Sequence, residues 1–217
     1  LDIDDHQQIQ LTTQYYKSES DGKHGLYLGE NFSAVTGQGK AYNSGNLDAD
    51  RLPGTERHLI NLQYSNTDFL GQDLVAQIYY RDEKLTFYPF PTLAGGSVGS
   101  IGASQQNTDY WGGKLTLNSQ PVDDLTLTYG VDADHETFDA NQQFFDLTKA
   151  AQSGGMDLQN AYRVGRYPSY SITNLAPFLQ SSYDIRAITL SGGVRYQYTK
   201  NKVDDFVGYN QQQAIAR

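Results

Sequence analysis

The sequence predicts an all-β chain whose strands form an antiparallel segment of a transmembrane β-barrel. Hydrophobic and polar residues alternate with a period of two in seven separate runs, which is typical of strands whose two faces meet different surroundings. Each run has about the 9–11 residues that a tilted membrane-spanning strand needs, whereas globular strands average about 5–6. The connections between runs alternate between short and long, which favours a barrel over a compact soluble fold.

The alternating runs separate apolar from polar side chains along each predicted strand. In the third run, for example, Leu74, Ala76, Ile78 and Tyr80 fall on one face and Arg81 on the other. The sixth run alternates more weakly than the others. In chain order the runs are His6–Tyr16, Arg57–Ser65, Asp73–Asp82, Tyr110–Ser119, Asp124–His135, Asn174–Asp184 and Thr189–Lys200.

The connections predict which end of the barrel faces which side of the membrane. Tight turns are predicted at Asn66–Gln72, Gln120–Asp123 and Ile185–Ile188, and three long loops at Lys17–Glu56, Glu83–Asp109 and Glu136–Thr173. Residues Gly208–Arg217 are predicted to form a further loop. Short turns on the periplasmic side and long loops outside are the pattern of outer-membrane barrels. Tyr64, Tyr80, Tyr183 and Tyr198 are candidates for the aromatic girdles at the two membrane interfaces.

Seven is an odd number of strands, whereas bacterial barrels have an even number. A free strand edge in lipid leaves backbone groups unpaired, so we expect the chain to be part of a larger barrel. The competing interpretation is a soluble seven-stranded β-sandwich that binds sugar or peptide. It explains the number of strands but neither their length nor the unequal connections.

Composition excludes several classes of function. The net charge of −9 argues against a nucleic-acid partner, because phosphate binding requires a basic surface. The absence of cysteine excludes disulfide scaffolds, thiol catalysis and cysteine metal sites. No GxSxG, HExxH or P-loop motif occurs, so we do not predict an enzyme.

Longer stretches of the sequence point to one family. They include IQLTTQYYKS, RLPGTERHLINLQYS, FLGQDLVAQIYYRDEKLTFYPFPT, GRYPSYSITNLAPFLQSSYDI and GGVRYQYTKNKVDDFVGY. In these segments, which keep the same order, the chain resembles TonB-dependent outer-membrane siderophore receptors over essentially its whole length, in the middle portion of their barrel. The resemblance implies a barrel of about 22 strands, of which residues 1–217 would be a partial barrel domain without the plug domain and the C-terminal strands.

The same resemblance implies function and partners. It implies a bacterial outer-membrane location in contact with outer-membrane lipid, and uptake of a ferric hydroxamate–citrate siderophore of the aerobactin type. Import would be powered by the TonB complex through an N-terminal region outside this chain. Some colicins would bind the receptor at the cell surface.

The candidate binding residues follow from the chemistry of such a ligand. A ferric siderophore already fills the coordination sphere of its iron, so the receptor needs cations, hydrogen-bond donors and aromatic walls and no metal ligand or cofactor. Arg81 is predicted to face the lumen, and the prolines of the next loop would stiffen its aromatic residues. A second cluster precedes the sixth run. The predicted ligand-binding residues are Arg81, Phe87, Tyr88, Phe90, Arg163, Arg166, Tyr167 and Tyr170.

Other interpretations of these residues stay open. The FYPFP segment would equally pack against other loops, and the arginines would equally join a salt-bridge network. Arg195 is predicted to face the lumen and to pair with carboxylates. His135 lies near Asp132, Asp134 and Glu136, but adjacent strand residues point to opposite faces, so we predict no metal site there.

Overall fold

The computed structural model describes residues 1–20, 48–95, 97–152 and 157–216. Strands dominate these ranges, and the two helices are short. The strands are β1 (Gln7–Glu19), β2 (Asp48–Ala49), β3 (Gly54–Asn66), β4 (Asp73–Thr86), β5 (Phe90–Ala94), β6 (Ser97–Val122), β7 (Leu125–Phe145), β8 (Asp157–Leu158), β9 (Asn160–Ile185), β10 (Ile188–Arg195) and β11 (Tyr198–Val203); the helices are α1 (Leu147–Gln152) and α2 (Tyr209–Ala216). Within the described ranges, neither helix is long and apolar enough to cross a membrane.

One open antiparallel sheet contains all the long strands, in the order β1-β3-β4-β6-β7-β9-β10. β11 continues the line of β10 along β9, and β5 folds back onto β6. The seven predicted strands are therefore confirmed, with β10 and β11 forming the seventh. The sandwich interpretation is wrong, because the one further sheet in the described ranges is the two-residue pairing of β2 with β8.

The register of the strands gathers the apolar side chains on one face. Leu11 lies opposite Leu62, and Leu62 lies opposite Ile78. Farther along the same sheet, Leu115 lies opposite Val131. We call this side the apolar face and its hydrophobic band the apolar belt. On β6 the belt extends from Val122 to Trp111, about 36 Å along the strand, or roughly 27 Å of height at the usual tilt, which matches the apolar band of outer-membrane barrels.

The opposite side, which we call the polar face, carries a hydrogen-bonded network. The Gln77 amide donates to Asn61 Oδ1 at 2.8 Å, and the Asn174 amide donates to Asp134 Oδ1 at 2.8 Å. Arg195 Nη1 lies 2.7 Å from Asp132 Oδ2, as the sequence predicted for this arginine. Such pairing between neighbouring strands suits a wall that lines a polar lumen.

Exposure distinguishes the two faces in the same way. Ile78 on the apolar face is 61% exposed, whereas its chain neighbour Gln77 is half-buried. The polar face is thus the more crowded side of the sheet, as the concave side of a curved wall should be. All four predicted girdle tyrosines lie on the apolar face: Tyr64 and Tyr183 toward the tight turns, and Tyr80 and Tyr198 farther up the strands.

The predicted long loops are largely wrong. β6, β7 and β9 are 26, 21 and 26 residues long, so most of Glu83–Asp109 and Glu136–Thr173 is strand. These extensions rise beyond the apolar belt, where water or polar groups meet both faces. When both faces of a strand have polar surroundings, its side chains need not alternate in hydropathy, so the sequence shows no period of two. Residues 21–47 of the predicted loop Lys17–Glu56 lie outside the described residues.

The last predicted loop also differs from the structure, because it contains α2 instead of irregular backbone. Within the predicted loop Glu83–Asp109, the chain turns at Gly95, which has a φ of +61°, and Ile101 is fully buried in β6. Ile101 belongs to a small cluster above the belt that includes Val98, Ala103, Phe145, Ala150 and Leu158.

Candidate functional site

The polar face continues above the level of the apolar belt, and Arg81 lies at the lower edge of this upper part. Arg81 lies in β4 between Leu59 on β3 and Tyr110 on β6. Its guanidinium carbon is 5.3 Å from the centroid of the Tyr110 ring, a distance at which a cation is attracted to an aromatic face. Among the described residues, the buried Arg81 Nε has no hydrogen-bond partner. The ring therefore holds a cation at this position, with its Nε enclosed by protein.

Tyr110 is itself held by a second ring. The Tyr79 and Tyr110 rings stack with centroids 5.5 Å apart, and their hydroxyl oxygens are 3.4 Å apart. Gly112 makes room for this arrangement, because a Cβ at that position would lie 2.6 Å from the Tyr79 hydroxyl. A side chain at position 112 would push the Tyr79 ring aside and with it the support beneath Arg81.

The next aromatic pair lies across β7 and β9. Glu136 is opposite Tyr110, and the Tyr170 hydroxyl donates to Glu136 Oε1 at 3.2 Å. The Tyr170 ring stacks on Phe138 with centroids 4.9 Å apart. Arg81 and Tyr170, two residues that the sequence predicted separately, thus belong to one continuous surface through Tyr110 and Glu136.

A third pair extends this surface upward. The Phe144 and Tyr162 rings stack with centroids 4.9 Å apart, and Phe144 lies opposite Gly102. Phe90 lies opposite the same glycine on its other side. Since Gly102 is eight residues from Tyr110 along β6, the rings climb about 26 Å of strand. We call this set of three stacked pairs, with Arg81 and Phe90, the aromatic ladder.

The remaining predicted residues lie apart from the ladder. Phe87 and Tyr88 are exposed in the link between β4 and β5, where the Phe87 amide donates to the Ser104 carbonyl. The Arg166 guanidinium carbon is 5.5 Å from the Tyr167 ring centroid. Tyr167 lies opposite Ala140 at a bulge of the β7–β9 pairing.

Arg163 is placed differently from the prediction that it would share a cluster with Tyr170. It lies opposite Gln143, which in turn lies opposite Ala103, and these positions belong to the apolar face above the belt. Arg163 and Tyr170 are seven residues apart, an odd spacing that places them on opposite faces of a strand. The two bulges of β9 between them each shift the alternation by one residue, so together they leave this arrangement unchanged.

Sequence reasoning missed Glu136, which accepts the hydrogen bond of Tyr170, and five residues of the ladder: Tyr79, Tyr110, Phe138, Phe144 and Tyr162. Their proximity depends on the register between strands that are distant in sequence, which a single chain does not display. One signal was present, because Phe138 and Phe144 are an even number of residues apart and so share a face of any strand that contains both.

The acidic residues near His135 do not converge on it. His135 Nδ1 is 2.8 Å from Thr173 Oγ1, and its ring is 5.6 Å from that of Trp111. These partners lie on the apolar face, whereas Asp132, Asp134 and Glu136 lie on the polar face. Across the described part of the chain, no group of three or more histidine, aspartate or glutamate residues has the geometry of a metal site.

Comparison with known proteins shows which family this chain belongs to. The family model of the TonB dependent receptor-like, beta-barrel domain matches residues 1–216. The chain is 60% identical over 218 residues to the ferric aerobactin receptor of Klebsiella pneumoniae, and 58% identical over 217 residues to that of Escherichia coli. It is 39% identical over 215 residues to the rhizobactin receptor of Rhizobium meliloti (strain 1021).

These alignments cover 98–100% of this chain but 29–30% of each relative, so the chain spans about a third of the length of the receptors that it matches. The relatives are named as receptors, not as enzymes. The match of the family model over residues 1–216 agrees with the open antiparallel sheet, its apolar belt and its long strands. The chain belongs to the TonB-dependent receptor-like β-barrel family, whose members are proteins of the bacterial outer membrane.

Proposed function

We propose that the receptor containing this chain binds ferric aerobactin, a hydroxamate siderophore, and imports its iron across the outer membrane with energy from the TonB complex. The observation that carries this proposal is the identity of 60% and 58%, over the whole chain, to two receptors named for ferric aerobactin. The rhizobactin receptor is less similar, at 39%, which favours aerobactin as the ligand.

The aromatic ladder supports the same proposal through its chemistry. A ferric hydroxamate–citrate complex presents carboxylate and hydroxamate oxygens around an iron whose coordination is complete. Arg81 offers a cation held against an aromatic ring, and the stacked rings offer flat apolar walls. Charge-assisted hydrogen bonds of this kind hold oxyanions strongly. We propose that Arg81, Tyr110 and Phe90 contact the ligand on its way into the lumen.

We propose that four of the remaining predicted residues contact the ligand outside the aromatic ladder. Phe87 and Tyr88, exposed beside Phe90, would meet the ligand from the rim. Arg166 and Tyr167 would do so from β9. The plug domain, the contact with the TonB complex and the use of the receptor by colicins would involve parts of the receptor beyond this chain.

The test uses the full-length receptor in detergent and equilibrium binding of iron-labelled ferric aerobactin. We expect Arg81→Gln to weaken binding about tenfold, the effect of losing one charge-assisted hydrogen bond. Arg186→Gln is the matched control, since Arg186 lies in the tight turn at the opposite end of the strands. Equal affinity of Arg81→Gln and wild type would remove Arg81 from the site, and absence of binding by the wild-type receptor would refute the proposed ligand.

A further inference from the structure

A row of side chains at one height on the polar face connects the aromatic ladder with β1 and β3. Arg57 in β3 lies opposite Tyr16 of β1 on one side and opposite Glu83 of β4 on the other. Glu83 in turn lies opposite Thr108 of β6, and Thr108 lies opposite Phe138 of the ladder. Since directly opposed residues of an antiparallel sheet point to the same face, Arg57 and Phe138 belong to one surface.

Arg57 and Arg81 are close neighbours across the pairing of β3 with β4. Arg81 is two residues before Glu83 in β4, so it occupies the position diagonal to Arg57. The β-carbons of diagonal neighbours are about 7–8 Å apart, a distance that long side chains can span. Both guanidinium groups can therefore approach the same ligand. Glu83 lies beside both arginines, and we call these three residues the charged trio.

The charged trio contains no ion pair. In the part of the chain that the structure describes, no carboxylate lies within ion-pair distance of Arg57 or Arg81, and no cation lies within that distance of Glu83. All three side chains are half-buried, and the Nε atoms of both arginines are enclosed by protein. Charged groups in such positions lose part of their hydration without gaining a counter-ion, which is costly.

The balance of charge in the trio favours an anion as the missing partner. Two arginines and one glutamate leave the trio with a net charge of +1. A negatively charged group between Arg57 and Arg81 would offset the cost of their partial burial. The Nη ends would supply the hydrogen bonds, because both Nε atoms are enclosed.

Tyr16 bounds this surface on the side away from the ladder. It is 48% exposed on the polar face, whereas its neighbour Tyr15 packs against His58 on the apolar face, with ring centroids 4.7 Å apart. Four strand spacings of about 4.8 Å separate Tyr16 from Phe138, a width of roughly 19 Å. The charged trio therefore lies between two aromatic walls.

We propose that Arg57 and Arg81 together bind the carboxylates of the siderophore that do not coordinate iron, and that Tyr16 and Phe138 flank the bound complex. The inference rests on the proposed function and names the part of the ligand that the site recognises. A guanidinium group matches a carboxylate through paired hydrogen bonds. Glu83 limits the preference for anions, since its charge repels the same carboxylates.

The first experiment compares two ligands on the full-length receptor in detergent by equilibrium binding. One is iron-labelled ferric aerobactin, and the other is the same complex with its non-coordinating carboxylates converted to methyl esters. We expect the wild-type receptor to bind the ester at least about tenfold more weakly, the effect of losing a charge-assisted hydrogen bond. Equal affinity for the two ligands overturns the inference and leaves the proposed function intact. Absence of binding of either ligand refutes the proposed function itself.

Variants assign the preference to individual residues. Arg57→Gln should weaken binding of ferric aerobactin about tenfold and change binding of the ester by less than about twofold. Glu83→Gln should strengthen binding of ferric aerobactin about twofold, because a like charge about 8 Å away is removed. Lys17→Gln is the matched control, since Lys17 follows Tyr16 in β1 and so points to the opposite face. This variant should bind both ligands as the wild type does.

The two ligands distinguish a contact of Arg57 from an effect on folding. A misfolded receptor loses affinity for the ester and for ferric aerobactin alike. Equal losses for both ligands in Arg57→Gln therefore overturn carboxylate recognition in favour of a structural role. A loss in Lys17→Gln as large as that in Arg57→Gln overturns the contact in favour of a long-range effect of charge.

Discussion

The guanidinium group of Arg81 lies 5.3 Å from the ring centroid of Tyr110, although the two residues are on different strands and 29 positions apart. Tyr110 is in turn stacked on Tyr79, so the pair belongs to a larger aromatic contact. This relationship is the lower end of the aromatic ladder. It places a cation at the point where the polar face passes from the membrane into the external space, which is where an anionic ligand arriving from outside would meet it.

Loss of the Tyr110 ring should weaken ligand binding through Arg81. In Tyr110→Leu the guanidinium loses its aromatic support, so we expect ferric aerobactin affinity of the full-length receptor to fall about fivefold, in line with a cation–π contribution of about 1 kcal/mol. Tyr110→Phe keeps the ring and should retain most of the affinity. Tyr196→Leu on the exposed apolar face is the control. Equal losses in the Leu and Phe variants would show that the hydroxyl, not the ring, is responsible.

The two faces of the sheet predict opposite tolerance for charge at adjacent positions. Ile78 is 61% exposed within the apolar belt, and Gln77 points to the polar face. Ile78→Arg should lower the free energy of unfolding in lipid vesicles by about 2–4 kcal/mol, the cost of an arginine near the bilayer midplane. Gln77→Arg should cost far less, because it meets water and polar side chains. A larger loss of unfolding free energy in Gln77→Arg than in Ile78→Arg, measured by denaturant titration, would mean that the face of Gln77 is the one that meets lipid.

Asp132 should couple energetically to Arg195 on the polar face. Arg195 Nη1 lies 2.7 Å from Asp132 Oδ2, while Lys114 Nζ is more distant at 3.9 Å. Because Arg195 is about half exposed, we expect a coupling energy of at most about 1 kcal/mol. A double-mutant cycle of Asp132→Asn and Arg195→Gln, read by denaturant unfolding, measures it. Strict additivity of the two substitutions would mean that the ion pair contributes nothing.

The strands that lie inside the membrane were predictable from sequence, and the reason is physical. Lipid on one side and a polar lumen on the other force residues such as Ile78 and Gln77 to alternate. Arg81 and Arg195 were assigned to the correct face for the same reason. Above the belt this constraint disappears, so the extensions of β6, β7 and β9 were mistaken for loops.

The candidate site was less predictable because it depends on register. Arg81 and Tyr170 were identified singly, but their connection through Tyr110 and Glu136 requires knowledge of which residues lie opposite one another. Arg163 was assigned to the same cluster as Tyr170, but the two residues are seven positions apart in β9 and lie on opposite faces. Because this segment was predicted to be a loop, the alternation of faces along a strand was not applied to it.

The central claim is that the polar face above the belt meets the ferric siderophore while the apolar face does not. Thr108 and Asn107 are neighbours in β6: Thr108 lies opposite Phe138 of the aromatic ladder, and Asn107 lies opposite Asp139 on the other face. The direct measurement is the labelling rate of Thr108→Cys and Asn107→Cys by a membrane-impermeant maleimide on intact cells, with and without saturating ferric aerobactin. We predict that the ligand slows labelling at position 108 several-fold and leaves position 107 unchanged. Equal rates at position 108 with and without ligand, or protection at position 107 alone, would contradict the claim.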